Sequence, residues 1–250
     1  MTTERILFTK KNNIAWITLN KPLDGNILDL EMAQELSEIC FKIKGDQDVS
    51  ATFLTGAGSV FCNGGELSLK DTGIEIFSPV EAVAALDVPV VAVINGDAFG
   101  IGLELALACD LRIAADNARF GLPQIAEGQI PLNGGTQRLS RIIGKPLALE
   151  MILTGEIKDA QAAFDMGLLN QLVKTDDLSM AAEKLANILS SRAPFALRYV
   201  KEAVNQGLNL TLEQGLQLEA NLYFLLHTTS DRREGIQSFL QKRPPKFEGK

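Results

Sequence analysis

Apolar and polar positions along the chain alternate between two periods. Ile6 to Lys10 and Ile14 to Asn20 read as two strands joined at Asn12-Asn13, a hairpin. From Leu30 to Ile43 the apolar residues Met32, Leu36, Ile39, Cys40 and Ile43 recur at helical spacing. Ala51 to Leu54 reads as a strand and Pro79 to Leu86 as a short helix. Val88 to Ile94 is an unbroken apolar run rich in β-branched residues, the pattern of a buried strand. Leu111 to Ala115 and Leu168 to Val173 are further strands. Helices are predicted over 137–143, 146–153, 179–190, 194–205, 212–226 and 231–241, with Asp159 as an N-cap for another.

Three glycine-rich turns interrupt this pattern. The first follows a strand, at Phe61-Cys62-Asn63-Gly64-Gly65-Glu66-Leu67. The second, Asn95-Gly96-Asp97 with Gly100 and Gly102, stands between the buried strand and an Ala/Leu-rich helix from Leu103 to Ala108. The third, Phe120-Gly121-Leu122-Pro123-Gln124 with Gly128 to Pro131 and Asn133 to Thr136, leads into another helix. A strand that ends in a glycine turn at a helix start exposes backbone N–H groups with no helical partner, where the helix dipole favours negative charge. Glu104 lies among Leu103, Leu105, Ala106, Leu107 and Ala108. A carboxylate in that setting is either paired at a wet edge or held in a pocket, where burial raises its pKa toward the range useful for proton transfer.

Composition narrows the possibilities. The 250 residues are 46% hydrophobic, enough for a real core, and the pattern divides into an α/β core over residues 1–155 and a helical region over 156–250 that packs on it or on a neighbouring subunit. A net charge of −7 argues against a nucleic-acid partner. The absence of a long charge-free apolar run argues against a membrane span, and the first residues lack a signal-like pattern. Cys40, Cys62 and Cys109 are widely spaced and His227 is the single histidine. That composition suits reduced cytoplasmic thiols and disfavours both a metal site and a Ser-His-Asp device.

Four ordered blocks carry a resemblance to a known family: LTGAGSVFCNGGEL, AVINGDAFGIGLELALACDLRIAADNARFGLPQ, IPLNGGTQRLSRIIGKPLALEMILTG and DRREGIQSFLQKRPPKF. Over essentially its whole length the chain resembles the crotonase, or enoyl-CoA hydratase/isomerase, family. The resemblance implies a spiral of repeated ββα units with a C-terminal helical region used in trimerisation, and a homotrimer or dimer of trimers. It implies an acyl-CoA thioester as substrate, with coenzyme A entering as part of that substrate and no other cofactor. A thioester enolate would be held by the backbone N–H groups of Gly65 and Ile101.

The family's first catalytic glutamate maps onto Glu104. Its second, after the proline of FGxPE, maps onto Gln124, an amide that cannot trade a proton usefully at neutral pH. Glu127, three residues on, would share the side of Gln124 if the segment turned helically; otherwise it is a solvated carboxylate. The resemblance further implies contacts to the acyl-CoA from Asn63, Gly65, Glu66, Leu67 and Ile101, and from Tyr223, Phe239 and Lys242 at the nucleotide end. Ser59 and Leu23 stand where some hydratases carry lysines, so an acyl carrier protein is an alternative bearer of the acyl group. The reaction implied first is reversible hydration of a 2-enoyl-CoA. The alternatives are isomerisation, decarboxylation or thioester hydrolysis with one carboxylate, or a catalytically weak acyl-thioester-binding subunit.

Overall fold

The computed structural model describes residues 4–65 and 78–250. The chain begins with the predicted hairpin, β1 (Ile6–Lys11) and β2 (Ile14–Leu19), turned by Asn12 and Asn13 at positive φ. Asparagine tolerates that conformation better than most residues. Next come α1 (Leu30–Gly45), β3 (Ala51–Gly56), α2 (Pro79–Ala84), β4 (Val90–Ile94), β5 (Ala98–Phe99), α3 (Ile101–Ala108), β6 (Leu111–Ala115) and β7 (Arg119–Gly121). They are followed by α4 (Gly135–Ile143), α5 (Lys145–Thr154), β8 (Lys158–Asp159), α6 (Ala160–Asp165), β9 (Gln171–Val173), α7 (Leu178–Ser190), α8 (Pro194–Gly207), α9 (Leu212–Leu226) and α10 (Ser230–Leu240).

The main sheet runs β1-β2-β3-β4-β6-β9, parallel except for the hairpin pair. Its central strands are covered on both faces. Val90, Ala92 and Ile94 of β4 pack with α1, α2 and α3, while Val91 and Val93 pack with Leu178, Ala182 and Ala186 of α7. Burial on both sides explains why β4 reads as continuous apolar sequence and not as alternation. Each fully buried large aliphatic side chain contributes roughly 1.5–3 kcal/mol, so this double-faced strand is a rigid base for the turn that leaves it.

A second sheet, β5-β7-β8, is built from strands of two or three residues. Elements this short carry no measurable period in the sequence, and Asp159, the expected N-cap, does cap α6 while closing β8. Strands β8 and β9 show that residues beyond 155 complete both sheets. Among the described residues no helix is long and apolar enough to cross a membrane.

The C-terminus of α3 is closed by an unusual cap. Arg112 is buried, and its Nη1 donates to Cys109 O at 2.7 Å and Ala106 O at 3.4 Å, its Nε to Leu168 O at 2.7 Å. A guanidinium there satisfies orphan carbonyls and opposes the negative end of the helix dipole. Burial lowers its pKa.

Candidate active site

The site is assembled where strands β3 and β4 leave the main sheet. Past β3 the chain forms a bridge between Cys62 and Ala98, with Cys62 N–H donating to Asp97 O and Phe99 N–H to Cys62 O, each at 3.0 Å. This parallel register continues into the two glycine turns: Gly65 lies three residues past Cys62, and Ile101 three residues past Ala98. The turns touch. A Cβ on Gly100 would lie 3.8 Å from the Cα of Gly64.

Helix α3 starts at Ile101, two residues before the predicted Leu103, because Gly100 adopts φ 53° and ψ −124° and turns the chain straight from β5 into the helix. Gly100 N–H donates to Gly121 O at 3.0 Å, and its carbonyl accepts from Glu104 N at 3.1 Å. Gly102 is fixed by contact, since a Cβ there would sit 2.2 Å from Cys62 O. Among the described residues no acceptor takes the N–H of Gly65 or of Ile101. The Ile101 side chain is buried, and the residue's N–H stands at the positive end of the helix.

One turn into α3, Glu104 is 1% exposed. Its Oε1 accepts from Asn133 N–H at 2.7 Å and from Gly135 N–H at 2.9 Å. Burial pushes its pKa above the ordinary glutamate value, and the two amides and the charge of Arg138 act against that rise. The third glycine turn therefore serves the carboxylate. Sequence reading found that turn and missed this role. The available signal was a glycine pair at a helix start, a ready anion cradle.

Gln124 sits in a 3-10 turn, Pro123–Glu127, with its Nε2 3.7 Å from the position of a Cβ on Gly100. Its Oε1 is buried and has no hydrogen-bond partner among the described residues. Glu127 ends the same 3-10 turn and is exposed. Asn63 is exposed beside Gly25, to whose carbonyl its N–H donates at 3.0 Å.

The fold thus brings Gly65, Ile101, Glu104 and Gln124 to the head of α3. Glu66 and Leu67 lie outside the described residues. Tyr223 on α9 and Phe239 on α10 are 53% and 82% exposed, and neither they nor Lys242 hydrogen-bonds to the glycine turns. Lys242 follows α10 at φ 53°, in a tail tied down where Arg243 grips Glu234 through two bonds of 2.6 and 2.8 Å.

A mixed sheet whose strands hand over to short helices through paired glycine turns, followed by C-terminal helices, is the crotonase fold. An enoyl-CoA hydratase crystal structure from Bacillus anthracis superposes with a TM-score of 0.93 at 37% identity, covering 99% of this chain and all of that one. The enoyl-CoA hydratase/isomerase family model matches residues 9–250. The chain belongs to that family. YngF of Bacillus subtilis, which carries the name enoyl-CoA hydratase/isomerase, is 42% identical over 257 residues, covering 98% of this chain and 99% of its own. The 2,3-dehydroadipyl-CoA hydratase of Escherichia coli is 36% identical, with 98% of this chain and 99% of that protein covered.

Proposed function

We propose that this protein adds water reversibly across the double bond of a 2-enoyl-CoA. The observation that carries the reading is the pairing of two main-chain donors, Gly65 and Ile101, which no acceptor takes among the described residues, with a buried carboxylate one turn into the helix that Ile101 opens. Donors fixed in place before reaction stabilise charge as it develops on the thioester oxygen. Glu104 takes a proton from water, the water oxygen bonds to C3, and the enolate forms with its oxygen between the two amides. Glu104 then returns the proton to C2, so one molecule of water is consumed and nothing else is needed. Gln124 supplies an unengaged amide oxygen to which that water can donate.

Phe239, Lys242 and Tyr223 would hold the nucleotide end of the substrate, contributed from an adjacent subunit. Their exposure, and that of Leu212, Leu216, Phe224 and Leu240 on the same helices, supports a homotrimer or a dimer of trimers. Crotonyl-CoA is the first test. Loss of its conjugated-thioester absorbance, abolished in Glu104→Gln, is the expected result; loss that persists in that variant overturns the mechanism.

A second reading has one observation in its favour. Gln124 has no acidic proton to give at neutral pH, which suits isomerisation, decarboxylation or hydrolysis through Glu104 alone. Turnover of a 3-enoyl or carboxylated thioester without turnover of crotonyl-CoA would select it. Tight binding of thioesters without any turnover would mark a binding subunit instead.

A further inference from the structure

The carboxylate of Glu104 is held by main chain, and that main chain is held by side chains from two helices. Nη1 of Arg138 donates to Asn133 O at 2.9 Å, closing the loop whose amides meet Glu104. Its Nη2 donates to Glu81 on α2 at 2.7 Å. Ser78, which caps α2, donates its hydroxyl to Asn133 Oδ1 at 2.8 Å. Gly134 makes room for this arrangement, because a Cβ there would lie 2.2 Å from Arg138 Nη1.

The charged groups on the elements packed against α3 are few. Among the described residues they are Glu81 on α2, Arg138 and Arg141 on α4, and Arg112 on β6 at the far end of α3; Asp97 and Asp110 flank the helix, paired with Arg119 and Lys201, and Glu127 is exposed. Arg141 turns back along its own helix to Gln137 O at 3.0 Å. Arg138 is the cation whose charge reaches the Glu104 carboxylate.

We infer that Arg138 is a positioning residue for Glu104: by binding Asn133 O and bridging to Glu81 it fixes the loop whose two amides hold the carboxylate. This rests on the reading of Glu104 as the base. A group that lies buried against apolar neighbours drifts toward its neutral form, and a neutral carboxyl cannot accept the proton of water. Arg138 opposes that drift both by charge and by holding the donors in place.

The test reads Glu104 directly. Full-length protein carrying 13C-labelled glutamate carboxyls is titrated by NMR without substrate, with the Glu104 signal assigned by its absence in Glu104→Gln. Arg138→Gln should raise the midpoint by about one pH unit, and Arg138→Lys, which keeps the charge but loses the fork, by about half of that. The acid limb of kcat/KM for crotonyl-CoA should move by the same amounts, with KM changed less than about twofold. Should Arg138→Gln not fold, Arg138→Lys decides by the same measurement. A midpoint unmoved in the folded variants overturns the inference. A midpoint that moves in a protein without crotonyl-CoA turnover sustains the role of Arg138 and sinks the reading of Glu104 as a hydratase base.

Discussion

Gly135 meets Glu104 at a distance that leaves no room for a side chain. Its N–H lies 2.9 Å from Oε1, and a Cβ at residue 135 would stand 3.0 Å from that same oxygen and 2.7 Å from Pro131 Cβ. Two effects compete in Gly135→Ala. Alanine usually stabilises a helix over glycine by roughly 0.5–1 kcal/mol, whereas forced overlap costs typically ~1–3 kcal/mol. The overlap wins, because the opposing atoms belong to a proline and to a carboxylate already bound by two amides. The variant should lose about 1–2 kcal/mol by denaturant titration, and turnover should fall by far more than stability, since the base is displaced.

Glu104→Gln separates stability from catalysis. The amide oxygen of glutamine can still accept from Asn133 and Gly135, so the packing survives. Burial raises the carboxyl pKa in the folded protein above the ordinary 4.5. A raised carboxyl contributes stability that is present below 4.5 and is lost as pH rises through the folded value. The wild type therefore carries a penalty at neutral pH that the variant lacks. The Tm of Glu104→Gln relative to wild type should increase from pH 4 toward pH 8, while kcat drops by roughly 10²–10⁴. A Tm gap that narrows over that range would show that the amides, not burial, dominate.

Gln124→Glu places a carboxyl able to trade a proton where the buried Oε1 now lies without a partner among the described residues. Crotonyl-CoA hydration should rise by on the order of tenfold or more, measured as initial rate against pH. Glu127→Gln should leave the rate within about twofold, because an exposed carboxylate on the outside of the 3-10 turn gains little from proximity.

Arg112→Leu tests the cap on α3. Three carbonyls, Cys109, Ala106 and Leu168, lose their donor inside the core. Buried acceptors left unmatched cost ~1–3 kcal/mol each before relaxation, so a total loss on the order of 3 kcal/mol is expected in denaturant titration. The cap lies at the far end of α3 from Gly100. If the protein folds, KM should be less affected than Tm.

Much of this architecture was legible from residue order. The β4 run and the α9 periodicity are long, so 90–94 and 212–226 fell inside or on the predicted ranges. Leu111–Ala115 matched because aspartates and a glycine turn bracket it. What escaped notice was set by contacts distant in sequence. Strands β5, β7 and β8 exist because Gly100, Gly121 and Lys158 meet in space, and two-residue strands leave no pattern. Glu104 stood out as a carboxylate among leucines, yet its partners lie about thirty residues later on main-chain nitrogen, a group every residue carries. The one local sign of these amides is the glycine pair at the start of α4.

The register between Cys62 and Ala98 has an evolutionary corollary. Both donors aligned by that bridge belong to the polypeptide backbone, which no codon change short of one for proline can delete. Mutational drift around them can bend the cradle or refit its walls, but in the proposed reading the ability to grip an oxygen is inherited with the chain trace itself. Side-chain chemistry at residue 124 is thereby free to diverge, so one scaffold can pass from one thioester reaction to another without first dismantling what it holds.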